Sequence, residues 1–380
     1  MMLYDKMTIN GMTVPNRLVR SATWEGLASA EGFVTPALED AMLELADGGV
    51  GMIITGHMFV AEQGRAGERQ LAVYADEYIS GLRSMVKKVH ERGSVIVAQL
   101  AHAGGQAAQA ITGMPALGPS PFARKDGEFC QEMTENDIDN MVNAFQQAAS
   151  RAVAAGFDGV QIHAAHGYGL SQFLSPHINK RKDMYGGSFE NRMRPLVRVY
   201  EAIRREVGDK YPVTLKINCE DYAEGGLELE DSASVIQGLE MIGLDAVEIS
   251  GGLLTNSPSK SSVRVGRFDT PAKEAWYREA ARVVRERTKL PIILVGGIRS
   301  FSVVEGLLAE GLIDFVSMSR PLLREPDLLK RWAAGDLRRA ECISCNKCFG
   351  VLYNNEGYFC PVAQSELAEL AESAAAGTSS

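Results

Sequence analysis

The chain has 380 residues, 46% of them apolar and 23% charged, with a net charge of −9. That composition suits a globular protein with a sizeable core, in one large domain or two small ones. The acidic balance offers no electrostatic footprint for nucleic acid or an anionic membrane. There is no eighteen-residue apolar run to span a bilayer, and the start M-M-L-Y-D-K-M-T lacks a secretory apolar core, so the expected location is the cytoplasm.

Short apolar runs alternate with helical patterns almost from end to end. The expected strands, in chain order, are Arg17–Ala22, Met52–Thr55, Val95–Leu100, Gly159–His163, Val213–Asn218, Ala246–Ser250, Ile292–Val295 and Phe315–Met318. Each is rich in Val, Ile or Leu and lacks polar alternation, as strands buried on both faces do. Helical patterns lie between them, among them Ile138–Ala155, Met193–Val207, Ser232–Ile242, Ala272–Thr288 and Ser302–Ala309. The segments A-G-F-D-G-V-Q-I (155–162), I-G-L-D-A-V-E-I (242–249) and E-G-L-I-D-F-V-S-M (310–318) repeat one plan, in which a helix stops at Gly, an acidic residue turns the chain and a buried strand begins. Repeated strand–helix units imply a parallel sheet, and eight of them imply a single closed (β/α)₈ barrel with its site at the C-terminal strand ends. A doubly wound open sheet is the alternative, but no G-x-G-x-x-G turn supports a dinucleotide version.

The expected organisation is a barrel over residues 1–335, a Cys-rich extension over 336–365 packed on it, and an unstructured tail over 366–380. Residues 102–137, rich in Gly, Ala and Pro, are expected to form a long loop at the active face.

The segment H-A-A-H-G-Y follows the fourth strand and places His163, His166 and Tyr168 close together. Residues three apart on a strand face opposite sides, so both imidazoles reach one point only if the chain bends after His163. Two N–H donors would then hold a carbonyl oxygen and stabilise an enolate, with the phenol as general acid. An isolated H-x-x-H is more often structural, but the position after a barrel strand favours chemistry. A metal site is disfavoured because no acidic third ligand lies nearby in sequence.

These residues resemble the signature of the Old Yellow Enzyme family of flavin-dependent ene-reductases. The resemblance extends through N-R-L-V-R-S-A-T (16–23), V-A-Q-L-A-H-A-G-G (97–105), S-P-H-I-N-K-R-K-D-M-Y-G-G-S-F-E-N-R (175–192), V-G-G-I-R-S (295–300) and S-M-S-R-P-L-L-R-E-P-D-L (317–328). It implies a barrel with FMN across its mouth, NAD(P)H as reductant and an electron-poor alkene as substrate. His163 and His166 would hold the activating oxygen and Tyr168 would donate the proton. The resemblance places Gln99 at the flavin's pyrimidine edge and Lys216 beside the anionic reduced ring. Gly296, Gly297, Ser319 and Arg320 would lie at the phosphate, and Ala22 and Thr23 under the ring. Two positions depart from the pattern: Trp24 stands where many relatives have Cys or Thr, and Gly169 replaces a bulkier neighbour of the proton donor. Homo-oligomers are common in the family.

Cys342, Cys345 and Cys348 are spaced C-x₂-C-x₂-C, with Cys360 and Pro361 following. Four thiolates so spaced suit a [4Fe–4S] cluster or tetrahedral zinc, with free thiols as the remaining alternative. The block resembles the cluster motif of the dienoyl-CoA reductase and trimethylamine dehydrogenase branch, with a shorter third gap and without that branch's extra domains. A cluster would imply a dienoyl or enoate reductase fed by a separate electron-transfer partner. Two other classes are a Schiff-base lyase using Lys216 and a non-catalytic metal-binding or electron-carrying protein. Cys130 and Cys219 are expected as buried thiols; His57, His102 and His177 as structural residues at the active face; Trp276 and Tyr277 as packing residues in a helix.

Overall fold

The computed structural model describes residues 2–377 apart from 108, 125, 126, 255, 256, 267 and 269, with side chains described through residue 369. The apolar runs form strands β1 (Leu18–Arg20), β2 (Met52–Ile54), β3 (Val95–Ala101), β4 (Gly159–Ala164), β5 (Val213–Asn218), β6 (Ala246–Ser250), β7 (Ile292–Val295) and β8 (Phe315–Met318). All neighbours are parallel, β3 pairs with β4, and β8 pairs with β1, so the sheet closes on itself. This is the expected (β/α)₈ barrel. The last four strand ranges coincide with the sequence reading, and the first four differ by up to two residues at an end.

Side chains alternate in and out along a strand. On five strands the inward position turns from small or apolar to polar two residues on: Val19 to Ser21, Val97 to Gln99, Thr214 to Lys216, Ala246 to Glu248 and Phe315 to Ser317. The lower layer is dry. Val19, Met52, Ile54, Val97, Ala246, Ile293 and Phe315 cluster there with Ile9, Met12 and Val14 of an N-terminal hairpin that plugs the barrel floor. The upper layer is polar and opens at the C-terminal strand ends.

The surrounding helices include α1 (Pro36–Asp47), α2 (Ile79–His90), α3 (Glu135–Ala155), α4 (Phe189–Val207), α5 (Leu229–Met241), α6 (Arg278–Arg287) and α7 (Phe301–Ala309). Helix α3 starts before the expected Ile138 because Thr134 and Asp137 form a reciprocal capping box. Helix α6 starts later than expected, at Arg278. The stretch before it is a short turn at Pro271–Lys273, and Ala275 adopts a left-handed φ of 54°.

Two further expectations are corrected. The long loop carries a small three-stranded sheet of Leu117–Gly118, Phe122–Ala123 and Phe129–Glu132. Close packing explains it: a Cβ on Gly105 or Gly118 would stand 2.6 or 2.9 Å from Cys130 Sγ. Residues 366–377, expected as an unstructured tail, continue the helix Pro361–Gly377, in keeping with their many Ala, Glu and Leu helix formers. Residues 378–380 lie outside the described residues. Among the described residues no helix is long and apolar enough to cross a membrane.

One ion pair ties the first strand to its neighbour. Arg20 Nη2 donates to Glu25 Oε1 at 2.7 Å, Arg20 Nη1 donates to the Ile54 carbonyl at 2.8 Å, and both side chains are buried. Removing one partner leaves an uncompensated charge in the barrel wall. Glu25→Ala should therefore lower stability by about 3–5 kcal/mol in urea unfolding. A loss below about 1 kcal/mol would mark the pair as no stronger than a surface one.

Candidate active site

The barrel's upper rim opens into a cleft of about 1330 Å³, its mouth included. Tyr168, His163, His166, Ala22, Thr23, Gln99, Lys216, Gly296, Gly297, Ser319 and Arg320 all line it. The structure thus brings every expected flavin and catalytic position to one cavity.

Histidine and tyrosine converge because the chain bends after β4. His166 adopts a left-handed φ of 63° and Gly167 one of 79°. The bend brings the His166 ring 5.3 Å from that of His163, and the Tyr168 ring 5.2 Å from His163, centroid to centroid. Strand ends hold this turn: His166 N donates to Asn218 Oδ1 at 3.0 Å, and His166 Nε2 lies 2.8 Å from Ser250 Oγ. Asn218 and Ser250, side by side on β5 and β6, were not singled out in the sequence. His57, expected as structural, completes the group, its ring 5.4 Å from Tyr168.

Burial sets the protonation of these groups. His163 and His166 are pushed well below the ordinary imidazole value, first by desolvation and then by the neighbouring positive charge of Lys216 and other histidines. The Tyr168 phenol is pushed above its ordinary value, again by desolvation first. At neutral pH both imidazoles are uncharged and the phenol keeps its proton. His163 Nδ1 is buried and without a hydrogen-bond partner. Such an atom in a native site calls for a ligand.

Below these donors lies a buried polar network. Lys216 Nζ donates to Ser21 Oγ at 2.7 Å and lies 3.2 Å from Glu248 Oε1. Gln99 Nε2 donates to Gln161 Oε1 at 2.7 Å. The amine of Lys216 is engaged on both sides, as a fixed cation is, which disfavours the Schiff-base alternative. Glu248 and Gln161 were missed. A lone acid inside the apolar run A-V-E-I-S was the available signal, since a buried carboxylate needs a partner.

At the far end of the cleft, Gly296 and Gly297 follow β7 with φ of 127° and 70°. A Cβ on Gly297 would come within 2.3 Å of the Trp276 indole, so this turn requires glycine. Trp276 and Tyr277 lie in the turn before α6 and line the cleft, a correction to their expected place inside a helix. Burial works against the charge on both Arg299 and Arg320, and at Arg320 the neighbouring Arg299 adds to that effect. Arg320 Nη1 donates to the Arg264 carbonyl at 2.9 Å and to Asn346 Oδ1. The orphaned Trp276 Nε1, Arg264 Nε and Arg299 Nε add unspent donors in this region. Two like-charged guanidiniums beside a glycine turn form a cradle fitted to an anion.

The cysteine block is placed differently from the expected ligand set. Among the described residues no three His, Cys, Asp or Glu side chains are arranged to hold a metal ion. Cys342 and Cys348 are buried and Cys345 and Cys360 are half-buried. Burial pushes the Cys348 thiol up to about 11, and Cys342, Cys360 and Cys345 lie near enough to add to that, while Cys360 Sγ lies 4.0 Å from Arg324 Nη1. The four thiols thus lie near one another, but no three are set as metal ligands among the described residues. The extension reaches the mouth, where Phe349 and Tyr353 line the cleft and the Tyr353 ring packs at a 45° tilt 5.4 Å from that of Trp24. His177 lies outside the cleft, with Nδ1 3.0 Å from the Glu224 carbonyl oxygen.

The family model for the NADH:flavin oxidoreductase / NADH oxidase family matches residues 2–337. The chain belongs to this family. The Old Yellow Enzyme resemblance is thereby borne out. An NADPH dehydrogenase of a Geobacillus species is 38% identical over 328 residues, covering 86% of this chain and 92% of the relative. An NADH oxidase of Thermoanaerobacter brockii is 34% identical over 350 residues, covering 90% of this chain. The chain spans only about half of that relative, 52% of its length. Among solved structures, a 2-naphthoyl-CoA reductase in complex with 2-naphthoyl-CoA superposes with a TM-score of 0.86 at 26% identity, over 94% of this chain and 56% of that one.

His102 supplies a pH test of the same rim. The Gly104 N–H donates to His102 Nδ1 at 3.0 Å, and burial lowers the His102 value to about 4. The unfolded chain would protonate this ring near the ordinary value of about 6.5. Between those values the unfolded state binds the extra proton, so stability is complete above about 6.5 and is lost as pH falls toward 4. The loss should be on the order of 3 kcal/mol in denaturant titrations, and shallower in His102→Asn. An unchanged slope in that variant would contradict the assignment.

Proposed function

We propose that the cleft holds FMN and that the protein is an NAD(P)H-dependent flavin oxidoreductase reducing carbon–carbon double bonds conjugated to a carbonyl. The observation that carries this reading is the convergence of His163, His166 and Tyr168 above Lys216, in one cleft with the Gly296–Gly297 turn. Family membership and relatives named NADPH dehydrogenase and NADH oxidase support it.

The donor set suits FMN. Arg320, Ser319 and the backbone at Gly296 and Gly297 would hold the phosphate, with Arg299 adding charge. Gln99 and Lys216 would meet the ring's pyrimidine edge, and Ala22 and Thr23 would pack beneath it. Thr23 Oγ1 lies 2.7 Å from Ser319 Oγ, which links the ring end of the site to the phosphate end. Bound there, FMN supplies a hydride carrier between NAD(P)H and the alkene.

The side chains above it hold the substrate and move one proton. His163 Nδ1–H and an N–H of His166 donate to the carbonyl oxygen. For His166 to offer Nδ1–H, the Ser250 hydroxyl donates to Nε2, which the 2.8 Å contact permits. Neutral imidazoles grip an oxygen more strongly as it gains charge, which lowers the barrier rather than merely binding the ketone. Tyr168 delivers its proton to the α-carbon, and its raised value keeps that proton available up to alkaline pH.

Tyr168→Phe should still consume NAD(P)H in the reductive half-reaction but slow alkene reduction by about 10²–10⁴-fold in stopped-flow measurements. Equal loss in both half-reactions would remove Tyr168 from the proton-donor role. His163→Ala should weaken binding of a phenol, a mimic of the enolate, by about 10–100-fold, the worth of one buried donor. An unchanged dissociation constant would contradict the oxygen clamp.

A further inference from the structure

We propose that Glu248 is the positioning residue of the flavin site, a single carboxylate that fixes the polar groups on the cleft floor and offsets the charge of Lys216. The inference rests on the FMN reading above. Glu248 is fully buried on β6 and does not line the cleft itself. Its Oε1 accepts from Ser21 Oγ at 2.6 Å and Ser317 Oγ at 3.0 Å, and lies 3.2 Å from Lys216 Nζ. Its Oε2 accepts from Gln161 Nε2 at 3.1 Å. Ser21, Ser317 and Lys216 all line the cleft, so one side chain holds three floor residues from β5, β8 and the end of β1.

A fourth is held at one remove. A carboxylate accepts only, so Gln161 must turn its NH₂ toward Glu248 and its oxygen away. That oxygen accepts from Gln99 Nε2 at 2.7 Å, which turns the Gln99 NH₂ toward Gln161. Gln99 is left with its carbonyl oxygen as the group offered to a ring N–H. The direction of both amides thus follows from the charge on Glu248.

The same charge sets an electrostatic balance. Lys216 alone would place a buried cation at the ring's edge and strongly favour its anionic reduced form. Glu248 at 3.2 Å offsets that field and keeps the reduced ring a better hydride donor.

The test is Glu248→Gln in the full chain, read by FMN affinity and by the potential of the bound flavin. The carboxamide removes the charge while keeping the shape. FMN binding should weaken about tenfold, and the two-electron potential should rise by about 30 mV for each tenfold gain in preference for the reduced ring. The double variant Lys216→Met/Glu248→Gln restores neutrality and should return the potential toward the wild-type value while binding stays weak. Wild-type affinity and potential in Glu248→Gln, or a loss of thermal stability without a shift in potential, would overturn the proposal. Should Glu248→Gln fail to fold, Gln161→Met carries the test. It breaks only the Gln99 arm and should weaken FMN binding about tenfold at constant potential, and unchanged binding would overturn the proposal. A wild-type chain that takes up no FMN would instead overturn the flavin reading itself.

Discussion

The rest of this structure depends on how the barrel interior satisfies one buried acid. Glu248 sits in the sheet wall with no access to water, and a lone carboxylate there would cost several kcal/mol. The chain offsets that cost by bringing a lysine, two serines and a glutamine to it from four other strands or strand ends. Because a strand's inward positions recur every second residue, this pairing fixes the register of the whole upper layer. The lower layer can then be dry, and the barrel is solid below and polar above.

Above that layer the chemistry belongs to the connections. The left-handed residue at His166 lets two imidazoles that a straight strand would separate share one cavity. Desolvation then keeps them neutral and keeps the neighbouring phenol protonated, so burial is the main influence tuning the three donors. At the opposite end, buried guanidiniums around a glycine turn leave donors unspent. Each end of the cleft suits one part of a long, flat, anionic ligand. The C-terminal extension narrows the opening: Tyr353 packs tilted against Trp24, and the Tyr358 hydroxyl accepts from Arg20 Nη2 at 3.2 Å.

Much of this was legible in the sequence because strands buried on both faces read as short unbroken apolar runs. The glycine-ended helices marked where each strand begins. The His163–Tyr168 segment was legible as chemistry because it follows a strand. What escaped depended on contacts between distant segments. Glu248 looked like one polar interruption in a strand, and only closure of the barrel brings Lys216, Ser21 and Ser317 around it. Trp276 fell within a helical periodicity, but the indole must seat against Gly297, and the chain turns instead of coiling. The cysteine spacing suggested a ligand set; the structure brings Cys348 near the other three thiols, but spacing does not fix ligand geometry, and no three are set as metal ligands among the described residues.

The central claim is that the cleft is built for FMN. The most direct measurement is a titration of flavin-free protein with FMN, followed by visible absorbance and fluorescence. The account predicts saturable binding of one FMN per chain, with a perturbed flavin spectrum that shifts again when a phenol is added. Protein that leaves the spectrum of free FMN unchanged at every concentration would contradict it.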